Sequence, residues 1–188
     1  MSSCLFSENI DISKYDFIYA CAQKNFGPSG ITLVIAKKEL LEKSNTDLPN
    51  ILKYDAHANE GSMLNTPNTF GWYVAGKMFD WYLENGGVAE MEKQSMAKTA
   101  ILYELIDKSD FYINPVNPKQ RSINNVVFTI VNSELEKVFL QEAEKADFKY
   151  LKGHRSVGGM RASIYNPMKI ESVFALKEFM ENFEKNYG

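Results

Sequence analysis

Gln23-Lys24-Asn25-Phe26-Gly27-Pro28 sets one lysine at the end of an apolar run and directly before a glycine-proline turn. A primary amine held at the end of a strand is partly desolvated, which lowers its pKa and frees its lone pair to attack a carbonyl carbon. Lys24 is therefore the candidate Schiff-base nucleophile, although the spacing alone equally accommodates a solvated lysine beside a turn. A second reactive stretch runs from Lys152 to Arg161, where His154, Arg155 and Arg161 surround Gly158-Gly159. The planar guanidinium fork donates two parallel hydrogen bonds to carboxylate or phosphate, and a neighbouring histidine adds a further donor. In a regular strand the even spacing of Arg155 and Arg161 places both on one face, whereas a bulge at the glycine pair separates them. Two surface arginines in weak ion pairs are the competing account.

The elements that must hold these groups follow from apolar periodicity. Phe17 to Ala22 reads as a buried strand and Ile31 to Ala36 as its antiparallel-looking partner, followed by a short helix near Lys38 to Lys43 and a polar loop from Asn59 to Asn65. His57 falls in a polar loop pattern and is read as structural. Thr66 is the expected N-cap of a helix with Pro67 at its first position, and Phe70, Val74, Met78 and Trp81 form its expected core stripe. Gly86-Gly87 ends that helix. A second helix carries Met91, Ser95, Leu102, Leu105 and Ile106, and the domain boundary is expected within it. Val126 to Val131 then reads as a strand, Glu134 to Ala146 as a helix, Val157 to Ile164 as a strand, and Ile170 to Phe183 as a terminal helix, with a proline loop at Asn114 to Pro118.

Composition narrows the partners. Hydrophobic residues at 45% and charged residues at 24% are those of a folded globular chain. A net charge of −3 argues against nucleic acid as a partner, since binding it needs a concentrated cationic surface. No stretch approaches membrane-spanning length, and Met1 to Phe6 lacks the features of a targeting segment. Cys4 and Cys21 make no disulfide framework, so a cytoplasmic location is expected. Two histidines, His57 and His154, are too few for a metal site.

Four segments, in order, carry a resemblance. They are Ala22-Gln23-Lys24-Asn25 with Gly27-Pro28, Gly61 to Pro67, Asn85 to Met91, and Lys152 to Asn166. Together they resemble the C-terminal half of the phosphoserine aminotransferases, class-V enzymes dependent on pyridoxal 5'-phosphate (PLP), from about Ser2 to the last helix. The resemblance implies an α/β fold: the C-terminal part of the fold-type I PLP-dependent transferase fold, with residues 1–93 completing the large PLP-binding domain and 94–188 forming a small α+β C-terminal domain. It implies that Lys24 is catalytic and holds the cofactor, and that Gln23 helps bind the cofactor phosphate. Asn65 and Thr66 reach the partner subunit's cofactor phosphate in a homodimer. Arg161 binds the substrate α-carboxylate, and His154 and Arg155 recognise the substrate phosphate. The implied reaction exchanges an amino group between glutamate and 3-phosphohydroxypyruvate, with phosphorylated hydroxythreonine of vitamin B6 synthesis as a related substrate. Cys21 and Phe26 depart from the pattern without removing a functional group. A cysteine desulfurase of the same fold fits less well, because neither Cys4 nor Cys21 is placed as a mobile nucleophile.

Members of that family are roughly twice as long, and the resemblance places the aspartate that pairs with the pyridine nitrogen just before Met1. The 188 residues alone are accordingly expected to bind PLP poorly and not to turn over. A non-catalytic remnant that keeps a dimer surface is the alternative.

Overall fold

The computed structural model describes residues 1–43 and 47–188. The chain forms two compact units, Met1–Ala89 and Glu90–Gly188. The first is built on an antiparallel hairpin of β1 (Phe17–Cys21) and β2 (Thr32–Ala36), in register from Phe17 opposite Ala36 to Cys21 opposite Thr32. β1 is half-buried rather than wholly buried: Ile18 and Ala20 point inward while Tyr19 between them is 57% exposed. Period-2 alternation exposes every second residue of a strand covered on one face.

Three helices follow, α1 (Lys38–Leu41), α2 (Tyr54–Asn59) and α3 (Thr69–Glu84). The polar stretch around His57 is helix α2, not loop. Helix α3 starts later than expected. Asn68, not Thr66, is its N-cap, its side-chain oxygen accepting from Gly71 N–H at 3.0 Å. Its buried line is accordingly Gly71, Ala75 and Tyr82, and Phe70 is 72% exposed. The reason is close approach. A Cβ at Gly71 would lie 2.8 Å from Ile31 Cγ1, so the small-residue face is the one that packs. An aromatic cluster completes this core, with Phe6 5.2 Å from Phe26, 5.5 Å from Phe79 and 5.4 Å from Tyr82 between ring centroids. Asn85 caps the end of α3, and Gly86 and Gly87 take left-handed backbone where α4 (Gly87–Lys108) begins.

The second unit holds most of α4, a three-stranded antiparallel sheet ordered β3 (Tyr112–Ile113), β4 (Asn125–Ile130) and β5 (Met160–Ser163), and helices α5 (Leu135–Lys145) and α6 (Ile170–Tyr187). Val126, Phe128 and Ile130 of β4 alternate inward. Val173, Leu176, Met180 and Phe183 recur at helical spacing on the buried face of α6, joining Phe139 and Ala143 of α5 and Leu102 and Ile106 of α4. Phe139 and Phe183 meet at 5.0 Å, and burial of each such ring contributes about 1.5–3 kcal/mol. β5 is shorter than expected because Gly158 and Gly159 have φ of 80° and 61°, outside strand geometry. No helix among the described residues is long and apolar enough to cross a membrane.

Candidate active site

Lys24 closes a 3-10 turn, Ala22–Lys24, that continues β1. The carbonyl of buried Ala22 accepts from the N–H groups of Asn25 (3.2 Å), Phe26 (3.0 Å) and Gly27 (3.1 Å), winding the chain tightly beneath the lysine. Asn25, 3% exposed, donates from its side-chain amide to Ser3 O (3.3 Å), Leu5 O (3.1 Å) and Ser7 Oγ (2.9 Å), and its own carbonyl accepts from Tyr82 Oη at 2.7 Å. With Asn25 and Phe26 committed to the interior, Gln23 and Lys24 are exposed. The expected desolvation of Lys24 is therefore not found. The turn carries the lysine out of the strand before its side chain can be covered.

Beside the turn, Thr32 Oγ1 donates to Cys21 Sγ at 3.5 Å. That bond, then the one from Ser2, holds the Cys21 thiol below its ordinary range, with the N-terminal and Lys24 ammonium groups adding to the shift.

The second cluster of predicted residues lies on a closed loop. Lys152 bridges Met160 in antiparallel fashion, Gly153 N–H donates to Gly159 O at 2.8 Å, and His154 O accepts from Val157 N–H (2.9 Å) and Gly158 N–H (2.8 Å). Ser156 N–H donates to His154 Nδ1 at 3.3 Å, with Ser156 Oγ 2.7 Å from the same nitrogen. Nδ1 is thereby an acceptor, so the neutral ring carries its proton on Nε2. His154, Arg155 and Lys152 line one cleft of about 550 Å³ opposite Lys137, Glu136 and Glu144 of α5. Lys137 had no motif to announce it, since only the fold turns that face of α5 toward the loop.

Arg161 does not join this cleft. It is half-buried on β5 opposite Val127, and its Nε is buried without a hydrogen-bond partner. Of the two arrangements the sequence left open, the separated one is found: Arg155 lies in a turn and the glycine pair reverses the chain between the two arginines. Gly159 also fits where no side chain could, since a Cβ there would sit 2.7 Å from Phe128 O.

Asn65 and Thr66 occupy the segment between α2 and α3, both exposed, with Asn65 Nδ2 donating to Thr66 O at 3.1 Å. Asn65 lines a cleft of about 1020 Å³ with Tyr54, His57 and Trp72, in which Gln23 and Lys24 take no part. His57 Nε2 is 2.9 Å from Ile51 O, a local structural bond. Among the described residues, no group of three His, Cys, Asp or Glu side chains is placed to hold a metal ion.

This order of elements, from the lysine turn through to the strand of Arg161, matches the family model for class-V aminotransferases over residues 1–176. The chain belongs to that family. It is 52% identical over all 188 residues to the phosphoserine aminotransferase of Acinetobacter baylyi. It superposes on the phosphoserine aminotransferase of Bacillus circulans subsp. alkalophilus with a TM-score of 0.96 at 42% identity, covering 100% of this chain and 52% of that one. On the PLP-bound phosphoserine aminotransferase of Trichomonas vaginalis the TM-score is 0.90 at 36% identity, covering 96% of this chain and 52% of that one. The chain spans about half, 52%, of the length of the Acinetobacter baylyi enzyme as well. The fold is thus that of a PLP-dependent aminotransferase.

Proposed function

We propose that these residues supply the lysine-bearing, C-terminal part of a cytosolic phosphoserine aminotransferase that works as a homodimer. The observation that carries the substrate class is the closed loop that sets His154 Nε2–H and Arg155 on one cleft with Lys137 and Lys152, a donor set suited to a phosphate monoester. Lys24 and Gln23 fit the cofactor, since the turn offers an accessible primary amine and a neighbouring amide on a backbone anchored by Asn25. PLP, when bound, supplies the electron sink that disperses the negative charge left at Cα.

The chain's own groups do the rest. Lys24 Nζ would hold the cofactor through its aldehyde carbon and, once released, would take the proton from the substrate Cα. Gln23 would hold the cofactor phosphate, and Asn65 and Thr66, exposed between α2 and α3, would reach that of the partner subunit. Arg161 receives the α-carboxylate, a use that would satisfy its unpartnered buried Nε. The whole enzyme would transfer the amino group of glutamate to 3-phosphohydroxypyruvate, giving 2-oxoglutarate and phosphoserine, reversibly. The phosphorylated hydroxythreonine of pyridoxine synthesis fits the same donors. Because Lys24 is exposed here, these 188 residues do not exclude water from its amine, and turnover by them alone is expected to be negligible.

The test is to mix the chain with PLP, reduce with borohydride, and map labelled lysines by mass spectrometry, with Lys24→Ala as control. Labelling of Lys24 ahead of the other lysines supports the assignment. Scattered labelling, unchanged in Lys24→Ala, refutes it and favours a non-catalytic remnant.

A further inference from the structure

Helix α4 buries Met91, Ser95, Lys98, Leu102 and Ile106 along one line. The lysine in that line is 3% exposed. No carboxylate pairs with it among the ion pairs of the described residues. Its Nζ instead donates to three backbone carbonyls, Tyr165 O at 3.1 Å, Asn166 O at 3.2 Å and Met168 O at 3.1 Å. An ammonium has three N–H donors, so each can be satisfied by one carbonyl. Ser95 Oγ, one turn earlier, lies 3.4 Å from Asn166 Oδ1 and adds to the hold on the same segment. Burial pushes the Lys98 ammonium below its ordinary range. Burying a cation without a counter-charge costs stability that an apolar side chain would not. Its use must lie in what it fixes.

What it fixes is the exit of β5. That strand is tied at its start by the Lys152–Met160 bridge and by Arg161 N–H donating to Leu151 O at 2.7 Å. At its end Ile164 N–H donates to Asn124 O at 2.7 Å, and the next residues are the three that Lys98 grips before α6 begins. A four-residue strand has few ladder bonds of its own to hold its register. We infer that Lys98 is the positioning residue of Arg161: by clamping the carbonyls of residues 165, 166 and 168 it sets the register and orientation of β5, and so the direction in which the guanidinium meets a carboxylate. The inference rests on the proposed role of Arg161 as the carboxylate ligand.

The test uses the 188-residue chain, with the Arg161 Nε–H resonance as the direct readout and glutamate as the added carboxylate. Lys98→Met removes the ammonium and keeps an unbranched side chain. It should shift or broaden the Arg161 Nε–H signal and speed amide exchange from Arg161 to Met168, while the amides of α5 keep their protection. Glutamate binding should weaken on the order of tenfold, the scale expected when a guanidinium is misaligned by a fraction of an ångström. The loss should vanish in an Arg161→Ala background, since a positioning residue acts only through its partner. Lys98→Gln, which keeps two N–H donors, should fall between, and it is the variant to read if Lys98→Met does not fold. An unchanged Arg161 Nε–H signal in a folded variant overturns the inference, as does equal loosening of α5. A glutamate affinity that Arg161→Ala leaves intact refutes the role of Arg161 instead, and the Nε–H signal still decides whether Lys98 positions it.

Discussion

Replacing Gly153 with alanine isolates the closed loop from the side chains it carries. An ideal Cβ at residue 153 falls 2.0 Å from Gly158 O and 2.8 Å from Gly159 O, where real Cβ atoms essentially never come under 3.0 Å. Both obstacles are backbone, so the two arms of the loop must part by about 1 Å. Parting breaks the 2.8 Å bond from Gly153 N–H to Gly159 O and loosens the adjacent Lys152–Met160 bridge. Two such interactions are worth about 0.5–1.5 kcal/mol each, which tilts the loop toward its open form by about 1–3 kcal/mol. If His154 and Arg155 bind phosphate only in the closed loop, affinity falls roughly 5- to 150-fold. The assay is a titration with inorganic phosphate followed on the ring Cε1–H signal of His154, assigned against the one other histidine, His57. Thermal stability measured alongside should fall by no more than that same ~1–3 kcal/mol, about 2–4 °C per kcal/mol, because the core around Phe139 and Phe183 is untouched. Val157→Ala, at a position 72% exposed on the same loop, is the matched control and should bind as the parent does. Parental phosphate affinity in Gly153→Ala would show that the closed loop is not the binding form.

Two further substitutions probe the frame. Asn25→Ala should cost about 2–3 kcal/mol in urea unfolding, and Asn25→Asp more, because a carboxylate would face the Ser3 and Leu5 carbonyls that the amide now satisfies; the opposite order refutes the donor assignment. The Arg121 fork holds the Asp107 carboxyl below its usual value through two bonds of 2.6 Å. A depressed carboxylate contributes its stability above the unfolded value near 3.9 and loses it as pH falls through the folded one. Asp107 is 48% exposed, so screening limits the effect to about 1 kcal/mol. Arg121→Met should therefore be less stable than the parent at neutral pH and nearly equal to it once Asp107 is protonated, and an equal gap at both pH values would contradict the pairing.

Much of this architecture was legible because its signals are local. The alternation of Val126, Phe128 and Ile130 announces β4, and the spacing of Val173 and Phe183 announces α6, since each pattern has the period of the element that buries it. The hairpin around Lys24 was equally plain, a glycine-proline turn between two apolar runs, and the four quoted segments led to the right family. Errors arose where two local signals compete. Thr66-Pro67 and Asn68 are both acceptable helix starts, and the choice fell to Asn68 because Gly71 is the residue that can pack against Ile31. Shifting the helix start also shifted the buried stripe from Phe70 to Gly71. Sequence periodicity cannot see a contact made possible by a missing side chain.

The charged groups were harder to read, for a related reason. Arg155 and Arg161 have the even spacing of one strand face, but Gly158 and Gly159 adopt a backbone open chiefly to glycine, and the two arginines end in different settings. Lys98 shows the limit more sharply. Its position in the line of Met91, Ser95, Leu102 and Ile106 is visible as a polar interruption of an apolar stripe. A side-chain partner such as an aspartate would have left a second mark in the sequence, and the lysine could have been paired with it. Its partners are three main-chain carbonyls, whose presence at residues 165, 166 and 168 is independent of side-chain identity. The interruption was therefore readable and its purpose was not. A lone charged residue on a buried helical face is better treated as a pointer to a backbone segment that must be held than as noise in the pattern.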